Sequence, residues 1–355
     1  MTSATGPHTD LPTPYLLVDE DLVAANVADL AAFAGRRGLA VRPHAKTHKC
    51  AEVARLQVAA GARGLTVATV SEAERFADAG FTSFFLAYPL WVDAPKGVRL
   101  RALRERAEVV VGVDSSEGAR TLAAQAPGTT VLVEVDSGQH RSGVRPEGAG
   151  AVAEAAGRSG LQVAGVFTFP GHSYAPGVQA EVAAMEADAL ETAVASVGRS
   201  GFDTPVVSGG STPSVHEARA DVLTEVRPGV YVFGDAQQWE LGTTTPDRIA
   251  LTCVATVVSR SGGRVVLDAG SKVLGADRSA WATGHGRLLD HPQARLTSLS
   301  EHHAVVSWPA PTPPPPLGTR LRVVPNHVCT AVNLADVLVT TTGDRWQVVA
   351  RGANV

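Results

Sequence analysis

The feature that most constrains the fold of this chain is an alternation that repeats through its first two-thirds. Short apolar runs rich in β-branched residues are each followed by a polar or glycine break, and then by a stretch with helical apolar spacing such as "VSEAERFADAG". Eight runs of this kind occur: "LAVRP", "LTVAT", "SFFLAY", "VVVGVD", "VLVEVD", "VAGVFTF", "PVVSGG" and "VYVFGD". Apolar strands that alternate with helices indicate a parallel sheet covered on both faces. Eight such units predict a closed (β/α)8 barrel.

After about residue 240 the pattern changes to strands without helical spacing. The segment "IALTCVATVVSRSGGRVVLDAGSKVLG" predicts two strands around an "RSGGR" turn, and "TRLRVVPNHVCTAVNLADVLVTTTGDRWQVVARG" predicts further strands with a "TTGDR" turn. The run "PAPTPPPPLG" cannot join a strand ladder and is expected to form an exposed loop. We therefore predict an α/β protein with a TIM-type (β/α)8 barrel, residues 13–238, followed by a smaller C-terminal all-β domain, residues 239–355. The N-terminal segment, residues 1–12, could pack on the second domain.

Composition excludes several classes of partner. The 355 residues carry a net charge of -4, so nothing in the charge balance favours nucleic acid or an anionic membrane as a partner. No apolar run approaches the roughly 18 residues of a membrane-spanning helix, and the start "MTSATGPHTDLPTP" lacks the basic and apolar regions of a signal peptide. The three cysteines form no disulfide framework. A cytoplasmic protein that acts on a small molecule is expected.

Lys46 is the first candidate functional residue, because it comes shortly after the proline that ends "LAVRP". In a (β/α)8 barrel the functional groups follow the carboxyl ends of the strands. A lysine in that low-dielectric mouth is a candidate Schiff-base former, since desolvation lowers its pKa. The alternative is a solvated surface lysine, which is less favoured because the chain has only four lysines. The neighbouring His44, His48 and Lys49 need no catalytic role, and Cys50 is expected to pack at the start of the next helix.

Two further strand ends carry candidates. Arg141 lies in "DSGQHRSGV", where it could pair with Glu134 or Asp136 or donate to an anionic oxygen in the barrel mouth. His172 and Tyr174 lie in "FTFPGHSY", where they could reach the cavity or form only a polar loop with an aromatic lid.

The loops after the last two predicted strands could bind phosphate. In "SGGSTPS", glycine N–H groups can point together at an anion, and two hydroxyls can add donors. Loops at this position are the usual phosphate site of the barrel. A strand-end lysine together with a phosphate site indicates pyridoxal 5'-phosphate (PLP), which needs both. The candidate residues of the first loop are Gly209, Gly210, Ser211 and Thr212.

His327 and Cys329, in "VVPNHVCTAVNL", are a candidate metal pair. If this segment is a strand, the two side chains share one face and can reach one ion. Imidazole and thiolate suit zinc, but two ligands do not complete a tetrahedral site, so further residues, water or substrate would have to add to them. The alternative is chance adjacency.

These segments together resemble the fold-type III PLP enzymes, the alanine-racemase-like group, and within it the D-serine dehydratase and D-threonine aldolase branch. The resemblance extends from "TPYLLVD" through "RPHAKTHK", "TVATVSEAE", "SGGSTPS", "RPGVYVFGD" and "SEHH" to "PNHVCTAVNL". It implies that Lys46 carries PLP, and that a divalent metal, zinc in preference to manganese or cobalt, is bound by His327 and Cys329. It also implies a homodimer. The remaining cofactor-binding residues that it implies are Arg141, His172, Tyr174, residues 208–212, Gly229, Val230 and Tyr231.

The identity of the metal ligands bears on the reaction. Aldolases of this branch usually carry His-x-Asp at the metal position, whereas the dehydratases carry His-x-Cys. The resemblance with Cys329 therefore implies a lyase of D-amino acid metabolism that eliminates water from a D-β-hydroxy amino acid and gives a 2-oxo acid and ammonia. The alternatives are a D-threonine aldolase-type retro-aldol lyase and a non-catalytic PLP-binding protein, although the latter proteins are bare barrels. Alanine racemases of this fold use a tyrosine of the β domain as the second base. Racemisation is disfavoured for this chain, because it has no tyrosine after Tyr231.

Overall fold

The structure is a computed structural model that describes residue 8 and residues 10–355. Residues 1–7 and 9 lie outside the described residues, and with them most of the segment expected to pack on the β domain. The chain divides into two compact units. The barrel unit consists of Asp29–Lys46, Ala54–Gly229 and Ala353–Val355. The β unit consists of the residues through Ala28, together with Thr47–Val53 and Val230–Gly352.

The strands, in chain order, are β1 (Tyr15–Val18), β2 (Ala40–Val41), β3 (Leu65–Val67), β4 (Ser83–Pro89), β5 (Glu108–Val113), β6 (Thr130–Glu134), β7 (Gln162–Phe167), β8 (Val206–Gly209), β9 (Glu225–Val226), β10 (Leu251–Ser261), β11 (Arg264–Leu267), β12 (Gly286–Leu288), β13 (Arg295–Leu299), β14 (Ala304–Ser307), β15 (Arg320–Pro325), β16 (Val337–Thr340) and β17 (Arg345–Gln347). The helices are α1 (Glu20–Arg36), α2 (Ala51–Ala59), α3 (Val70–Asp78), α4 (Ala94–Arg104), α5 (Ser116–Gln125), α6 (Ala149–Arg158), α7 (Gln179–Arg199), α8 (Ala236–Glu240), α9 (Ser271–Leu274) and α10 (Val328–Leu334). Of the described residues, no helix is both long and apolar enough to cross a bilayer.

The barrel unit contains the predicted parallel sheet. Its strand order is β2-β9-β8-β7-β6-β5-β4-β3. The ring closes between β3 and the end of β2, where the N–H of Thr66 donates to the carbonyl of Pro43 at 2.9 Å. Phe85, Leu132 and Phe167 pack together in the core, and the two phenyl rings meet edge to face with centroids 4.9 Å apart. The predicted (β/α)8 barrel is confirmed.

Helix α3 lies within "VSEAERFADAG", where the sequence predicts a helix. α3 begins after Thr69, whose hydroxyl accepts a hydrogen bond from the N–H of Glu72 at 3.0 Å. Its buried residues, Val70, Ala73 and Phe76, recur at helical spacing. The apolar face therefore covers the sheet, while the capping hydroxyl satisfies an N–H that the first turn leaves unpaired.

One predicted strand is misplaced. "VYVFGD" does not form the eighth strand, because Val230–Val232 forms a 3-10 helix. The eighth strand is β9, Glu225–Val226, which pairs in parallel with both β8 and β2. This strand is only two residues long and contains a carboxylate, which pairs with Arg42 at 2.9 Å. Apolar runs alone cannot separate a short strand from a buried turn, so the longer run that follows was the stronger signal.

The β unit is built on a nine-stranded sheet in the order β11-β14-β13-β12-β15-β10-β1-β16-β17. β10 pairs with both β15 and β11, so the strands between them close into a barrel. The predicted all-β domain is therefore confirmed, as are its "RSGGR" turn between β10 and β11 and its "TTGDR" turn between β16 and β17. The run at 309–318 is an irregular loop between β14 and β15.

The predicted domain bounds, 13–238 and 239–355, remain a prediction, and the compact units differ from them at four places. β1 pairs with β10 and β16, so the first strand of the chain lies in the sheet of the β unit. Residues Thr47–Val53 and Val230–Gly352 also belong to the β unit, and Ala353–Val355 belong to the barrel unit. The difference at β1 arises because pairing partners distant in sequence decide the unit to which a short strand belongs.

A second correction concerns "VCTAVNL", which was expected to be part of a strand. It forms helix α10, and His327 is the extended residue that precedes the first turn, with φ -128° and ψ 109°. The buried residues of α10 are Val328, Ala331 and Val332, a helical spacing. Valine and threonine favour strands only weakly against such burial. His327 and Cys329 are therefore not alternate residues of one strand.

Candidate functional site

A cavity of about 470 Å³ opens in the barrel unit, at the carboxyl ends of the parallel strands. Its walls come from the residues that end or follow most of the barrel strands, as expected for a (β/α)8 barrel. The lining residues are His44, Lys46, Ala68, Ala87, Tyr88, Pro89, Asp114, Arg141, Ser142, Phe169 and Arg227. Of the residues proposed from the sequence, Lys46 and Arg141 thus lie in the wall of one cavity.

Lys46 is held by a 3-10 turn, Ala45–Thr47, that follows β2. The turn is fixed to the next strand of the ring, because the N–H of His44 donates to the carbonyl of Pro228 at 3.1 Å. The Lys46 ammonium lies 5.5 Å from the centre of the Phe169 ring, and the Arg141 guanidinium lies 5.2 Å from the same ring. The face of an aromatic ring attracts cations. One phenylalanine therefore holds both cations at the cavity.

Of the other basic residues near Lys46, His44 lines the cavity, whereas His48 and Lys49 are buried and hydrogen-bonded. His48 is fully buried, with Nδ1 3.2 Å from the N–H of Cys50. The Lys49 ammonium donates to the side-chain oxygen of Asn333 at 2.7 Å. Cys50 is buried directly before α2, where burial raises the pKa of its thiol far above the ordinary value.

His172 and Tyr174 lie in and just after a 3-10 turn, Gly171–Ser173, that follows β7. Neither is among the described residues that line the 470 Å³ cavity. Both ring nitrogens of His172 are buried and have no hydrogen-bond partner among the described residues. Burial lowers the pKa of His172, although Asp136 acts against that shift. The Tyr174 ring is 6.5 Å from the Phe169 ring, so it belongs to the aromatic surroundings of the two cations.

The loop after β8 presents a cluster of hydroxyl groups. The Ser211 hydroxyl lies 2.7 Å from that of Ser173 and 2.8 Å from that of Ser214. All three serines are buried, as is Thr212. Buried hydroxyls that only bond to one another can redirect their protons to an anion, so this cluster suits a phosphate group.

The expectation that glycine N–H groups converge on an anion needs a correction at Gly210. Its N–H donates to a carboxyl oxygen of Glu186 at 2.7 Å and is therefore already paired. Gly210 has φ 75°, a conformation that favours glycine. At Gly209 a β-carbon would lie 2.4 Å from the same Glu186 oxygen, so this position also requires glycine. Glu186 thus lies directly behind the loop.

Glu186 was not singled out from the sequence. It is 1 % exposed and lies on α7, and burial raises the pKa of its carboxyl to about 7, while the Gly210 N–H and Arg227 act in the opposite direction. The sequence signal that could have identified Glu186 is its position on the buried face of α7, among the apolar residues Val182, Ala183 and Leu190. A carboxyl on an apolar helix face indicates a specific partner.

Arg227 and Glu134 were likewise not assigned from the sequence. Arg227 lines the cavity, and its guanidinium lies 5.4 Å from the centre of the Phe85 ring and 5.3 Å from that of the Phe167 ring. Its Nε donates to the Ser208 hydroxyl at 2.8 Å. Glu134 ends β6, and burial raises the pKa of its carboxyl to about 7. The positive charges of Arg141 and Arg227 act against that shift.

Gly229, Val230 and Tyr231 follow β9. Gly229 is the last residue of the middle segment of the barrel unit, and Val230 and Tyr231 begin the last segment of the β unit. Val230 is 3 % exposed, and its carbonyl accepts from the N–H groups of Phe233 and Gly234. The backbone of this proposed phosphate segment is therefore a tight turn rather than a strand.

His327 and Cys329 lie together in the β unit despite the change from strand to helix. His327 precedes the first turn of α10 and Cys329 lies in that turn. Cys329 is the first cause that raises the pKa of His327 well above its usual value, burial opposes the shift, and Asp235 adds to it. The Cys329 thiol donates to the Thr47 hydroxyl at 3.3 Å. An imidazole and a thiol form a donor pair that suits zinc. Over residues 8 and 10–355, no cluster of three or more His, Cys, Asp or Glu side chains is arranged to hold a metal ion.

Comparison with known proteins identifies the family. Residues 18–237 match the family model described as "Alanine racemase, N-terminal domain". The chain belongs to this family. Residues 250–341 of this alanine racemase-like chain match a second model, "Putative serine dehydratase domain".

Curated relatives of the alanine racemase-like chain include named dehydratases and an aldolase. It is 33% identical to the D-threo-3-hydroxyaspartate dehydratase of Delftia sp. (strain HT23), over 90% of this chain and 91% of that one. It is also 33% identical to the D-threonine aldolase of Arthrobacter sp., over 98% of this chain and 94% of that one. The chain is therefore a PLP-dependent lyase of the branch that contains these enzymes.

Solved structures agree with that placement. The dehydratase from Delftia sp. HT23 has a TM-score of 0.88 and 31% identity, covering 97% of this chain and 99% of that one. The D-threonine aldolase from Filomicrobium marinum has a TM-score of 0.88 and 31% identity, covering 98% of each chain. A cysteine-to-alanine variant of D-threo-3-hydroxyaspartate dehydratase, described as in the metal-free form, has a TM-score of 0.89 and 30% identity, covering 97% of this chain and 99% of that one.

Proposed function

We propose that this enzyme eliminates water from a D-β-hydroxy amino acid and gives a 2-oxo acid and ammonia. PLP would be bound through Lys46, and a divalent metal, zinc, through His327 and Cys329. The observation that carries the proposal is the placement of His327 and Cys329 at the start of α10, with the buried Asp235 carboxyl 3.3 Å from the His327 Nδ1. Relatives named as dehydratases support it, and so does the solved metal-free cysteine variant of one of them.

The charge and the volume of the cavity support PLP as its ligand. Its wall carries the three cations Lys46, Arg141 and Arg227, which suit an anionic cofactor and the carboxylate of an amino acid. The volume of about 470 Å³ lies within the usual range for small-molecule sites. The buried hydroxyls of Ser173, Ser211 and Ser214 fit a phosphate group. Arg141, His172, Tyr174, Gly209, Gly210, Thr212, Gly229, Val230 and Tyr231 remain the proposed further contacts of the cofactor.

Lys46 would do the proton chemistry. PLP, when bound, withdraws electrons from the α-carbon of an amino acid and so makes its proton removable. The Lys46 amine, held at the cavity by its turn, is the base that would take this proton. Loss of the β-hydroxyl then gives an unsaturated amine, which water hydrolyses to the 2-oxo acid and ammonia.

The metal pair would assist departure of the hydroxyl. His327 and Cys329 supply two protein ligands, so water and substrate would complete the coordination. The chemistry that zinc supplies at such a site is Lewis-acid stabilisation of a leaving oxygen. A thiolate and an imidazole bring one negative charge to the ion, and the ion therefore keeps positive charge for the substrate oxygen.

The second candidate is a retro-aldol lyase that breaks the Cα–Cβ bond of the same substrates. The observation in its favour is the similarity to D-threonine aldolases, which covers 98% of this chain in both the curated and the solved relative. In that reaction the β-hydroxyl loses its proton instead of leaving, and glycine and an aldehyde are formed.

One assay separates the two reactions. The purified enzyme, with PLP and zinc, is given D-serine, D-threonine and the D-isomers of 3-hydroxyaspartate, and the 2-oxo acid, ammonia and aldehyde are each quantified. The proposal predicts 2-oxo acid and ammonia in equal amounts from at least one substrate. Glycine plus an aldehyde, which is glyoxylate in the case of 3-hydroxyaspartate, with no ammonia from any substrate, would establish the aldolase instead. No product from any D-amino acid, in an enzyme that binds PLP, would favour the non-catalytic PLP-binding protein.

We also propose that the chain is a homodimer, as the family resemblance implies, and that it works in the cytoplasm. Light scattering during size-exclusion chromatography tests the dimer directly. A mass near 36.7 kDa at assay concentration would contradict it, because that is the mass of one chain.

A further inference from the structure

Asp235 connects several structural elements around the proposed metal pair. It is fully buried in the β unit, at the residue before α8. One carboxyl oxygen accepts from the N–H of Gln238 at 2.8 Å, which caps α8. The other accepts from the N–H of Val328 at 3.2 Å, in the first turn of α10. The same second oxygen lies 3.3 Å from Nδ1 of His327.

We propose that Asp235 is a positioning residue that holds His327 in the orientation and tautomer needed to bind the metal. This inference rests on the proposed metal site. A carboxylate beside Nδ1 keeps the proton on that nitrogen, and Nε2 is then the atom with a free lone pair. Ligating histidines in proteins usually donate their second ring N–H to such an outer partner.

The contacts of Asp235 explain why it would act through His327 rather than bind the ion itself. Both of its oxygens already accept backbone N–H groups, and one of them also faces the imidazole. Because the same oxygen caps the first turn of α10, it also fixes the backbone that carries His327 and Cys329. The buried carboxyl of Asp235 therefore holds both the imidazole of His327 and the helix that carries Cys329.

Cys329 has an outer partner of its own. The Thr47 hydroxyl, fully buried, lies 3.3 Å from its sulfur. Once the thiol is deprotonated, this hydroxyl can donate to the thiolate instead of accepting from the thiol. The side chain of each proposed ligand is thus oriented by a buried neighbour, Asp235 for His327 and Thr47 for Cys329. Of these two neighbours, Asp235 is the charged one.

The test is the zinc affinity of Asp235→Asn, measured on the PLP-loaded enzyme by competition with a chromogenic chelator. Asparagine keeps an oxygen that can cap α8, so the change removes the charge with little loss of shape. We expect zinc affinity to fall about 10–100-fold, with an unchanged PLP absorbance band. The matched control is Asp19→Asn. Asp19 caps α1 in the same unit through the N–H of Leu22 at 3.0 Å, and its loss should leave zinc affinity unchanged.

His327→Ala separates failure of this inference from failure of the proposed function. If His327→Ala loses zinc while Asp235→Asn binds it as the wild type does, the role of Asp235 is wrong and the metal site stands. If His327→Ala binds zinc with wild-type affinity, the metal site itself is wrong and the role of Asp235 fails with it.

A measurement on the wild-type chain covers the case in which Asp235→Asn does not fold. Long-range ¹H–¹⁵N NMR of histidine-labelled, zinc-loaded enzyme reports which ring nitrogen carries the proton, and comparison with His327→Gln assigns the His327 signal. The inference predicts a proton on Nδ1. A proton on Nε2 would overturn it.

Discussion

The barrel-mouth cavity and the metal pair are built in opposite ways. The cavity gathers side chains from strands far apart in sequence, from Lys46 after β2 to Arg227 after β9. The metal pair uses two residues at the start of one short helix, and its buried anchor, Asp235, comes 92 positions earlier. The residues of a barrel mouth can therefore be predicted from the order of the strands. The arrangement of the metal pair depends on local backbone geometry, which the order of the strands does not predict.

The two regions also differ in charge. Three cations, Lys46, Arg141 and Arg227, line the cavity, and the two carboxyls near it, Glu134 and Glu186, both have their pKa raised to about 7 by burial. The metal pair joins an imidazole and a thiol to one buried carboxylate. An excess of fixed positive charge suits an anionic cofactor, while anionic ligands suit a cation. We therefore expect that a substitution in one region can abolish cofactor or metal binding there without changing ligand binding in the other region.

The largest expected effect is that of Lys46→Ala. Because Lys46 is the proposed attachment point and base, the variant should lose the visible absorbance of the lysine-bound cofactor, and its turnover should fall by about 10²–10⁴-fold or more. The matched control is Lys272→Ala, which removes an exposed lysine paired with Glu301. Absorbance spectra and initial rates measure both. A wild-type spectrum for Lys46→Ala would remove this residue from the mechanism.

The next effect is that of Cys329→Ala on metal binding. Loss of a direct ligand should weaken zinc binding by more than the roughly 10–100-fold expected from an outer partner. The absorbance of the lysine-bound cofactor should persist, because Lys46 is held by its own turn. Cys253→Ala, at a buried cysteine of β10, controls for the loss of a thiol. Wild-type zinc content in Cys329→Ala after dialysis would contradict the assignment.

The third prediction concerns pH and Glu186→Gln. Since burial raises the folded-state pKa of Glu186 from 4.5 to about 7, folding favours its protonated form. The stability from this group is fully present below pH about 4.5 and is lost as pH rises through about 7. At pH 8 the glutamine variant should therefore have the larger free energy of unfolding, by on the order of 3 kcal/mol. The difference should shrink steadily as the pH falls toward 5.

Urea unfolding between pH 5 and pH 8.5 measures that difference. Glu191→Gln is the control, because Glu191 lies on the same helix and its side chain is half exposed beside Arg219. Its substitution should change little with pH. If Glu186→Gln were less stable than the wild type at pH 8, the ionised carboxylate would be stabilised by Gly210 and Arg227, and the proposed sign would be wrong.

The smallest expected effect is that of Ser211→Ala. Removing the central hydroxyl of the Ser173–Ser211–Ser214 cluster should weaken PLP binding by about 1 kcal/mol, or roughly fivefold. Titration of the cofactor-free enzyme with PLP measures the dissociation constant. Ser159→Ala is the control, because its hydroxyl donates to the carbonyl of Ala155 in the preceding helix, α6. An unchanged constant for Ser211→Ala would remove this loop from the phosphate site.

Strand order predicted the barrel and the place of Lys46 and Arg141, because buried apolar runs and the residues that follow them are visible in one sequence. The eighth strand could not be located, since β9 is two residues long and its partners, β2 and β8, lie far away in the chain. Helix α10 was missed because its burial pattern overrides the strand preference of valine and threonine.

The residues that support the candidate site were the least predictable. Glu186, Arg227 and Asp235 each act through a partner that the sequence does not identify: the N–H of Gly210, the rings of two phenylalanines and the imidazole of His327. A buried charge is recognisable in a sequence only when its surroundings are known. For Glu186, the apolar face of α7 was the available hint.

The most direct test of the account is to remove zinc from the wild-type enzyme with a chelator and to follow two signals in the same sample. One is the absorbance of the lysine-bound cofactor, and the other is the formation of 2-oxo acid from the D-β-hydroxy amino acid that the enzyme accepts. The account predicts that 2-oxo acid formation stops, that the absorbance persists, and that added zinc restores the reaction. Undiminished 2-oxo acid formation in the zinc-free enzyme would contradict it.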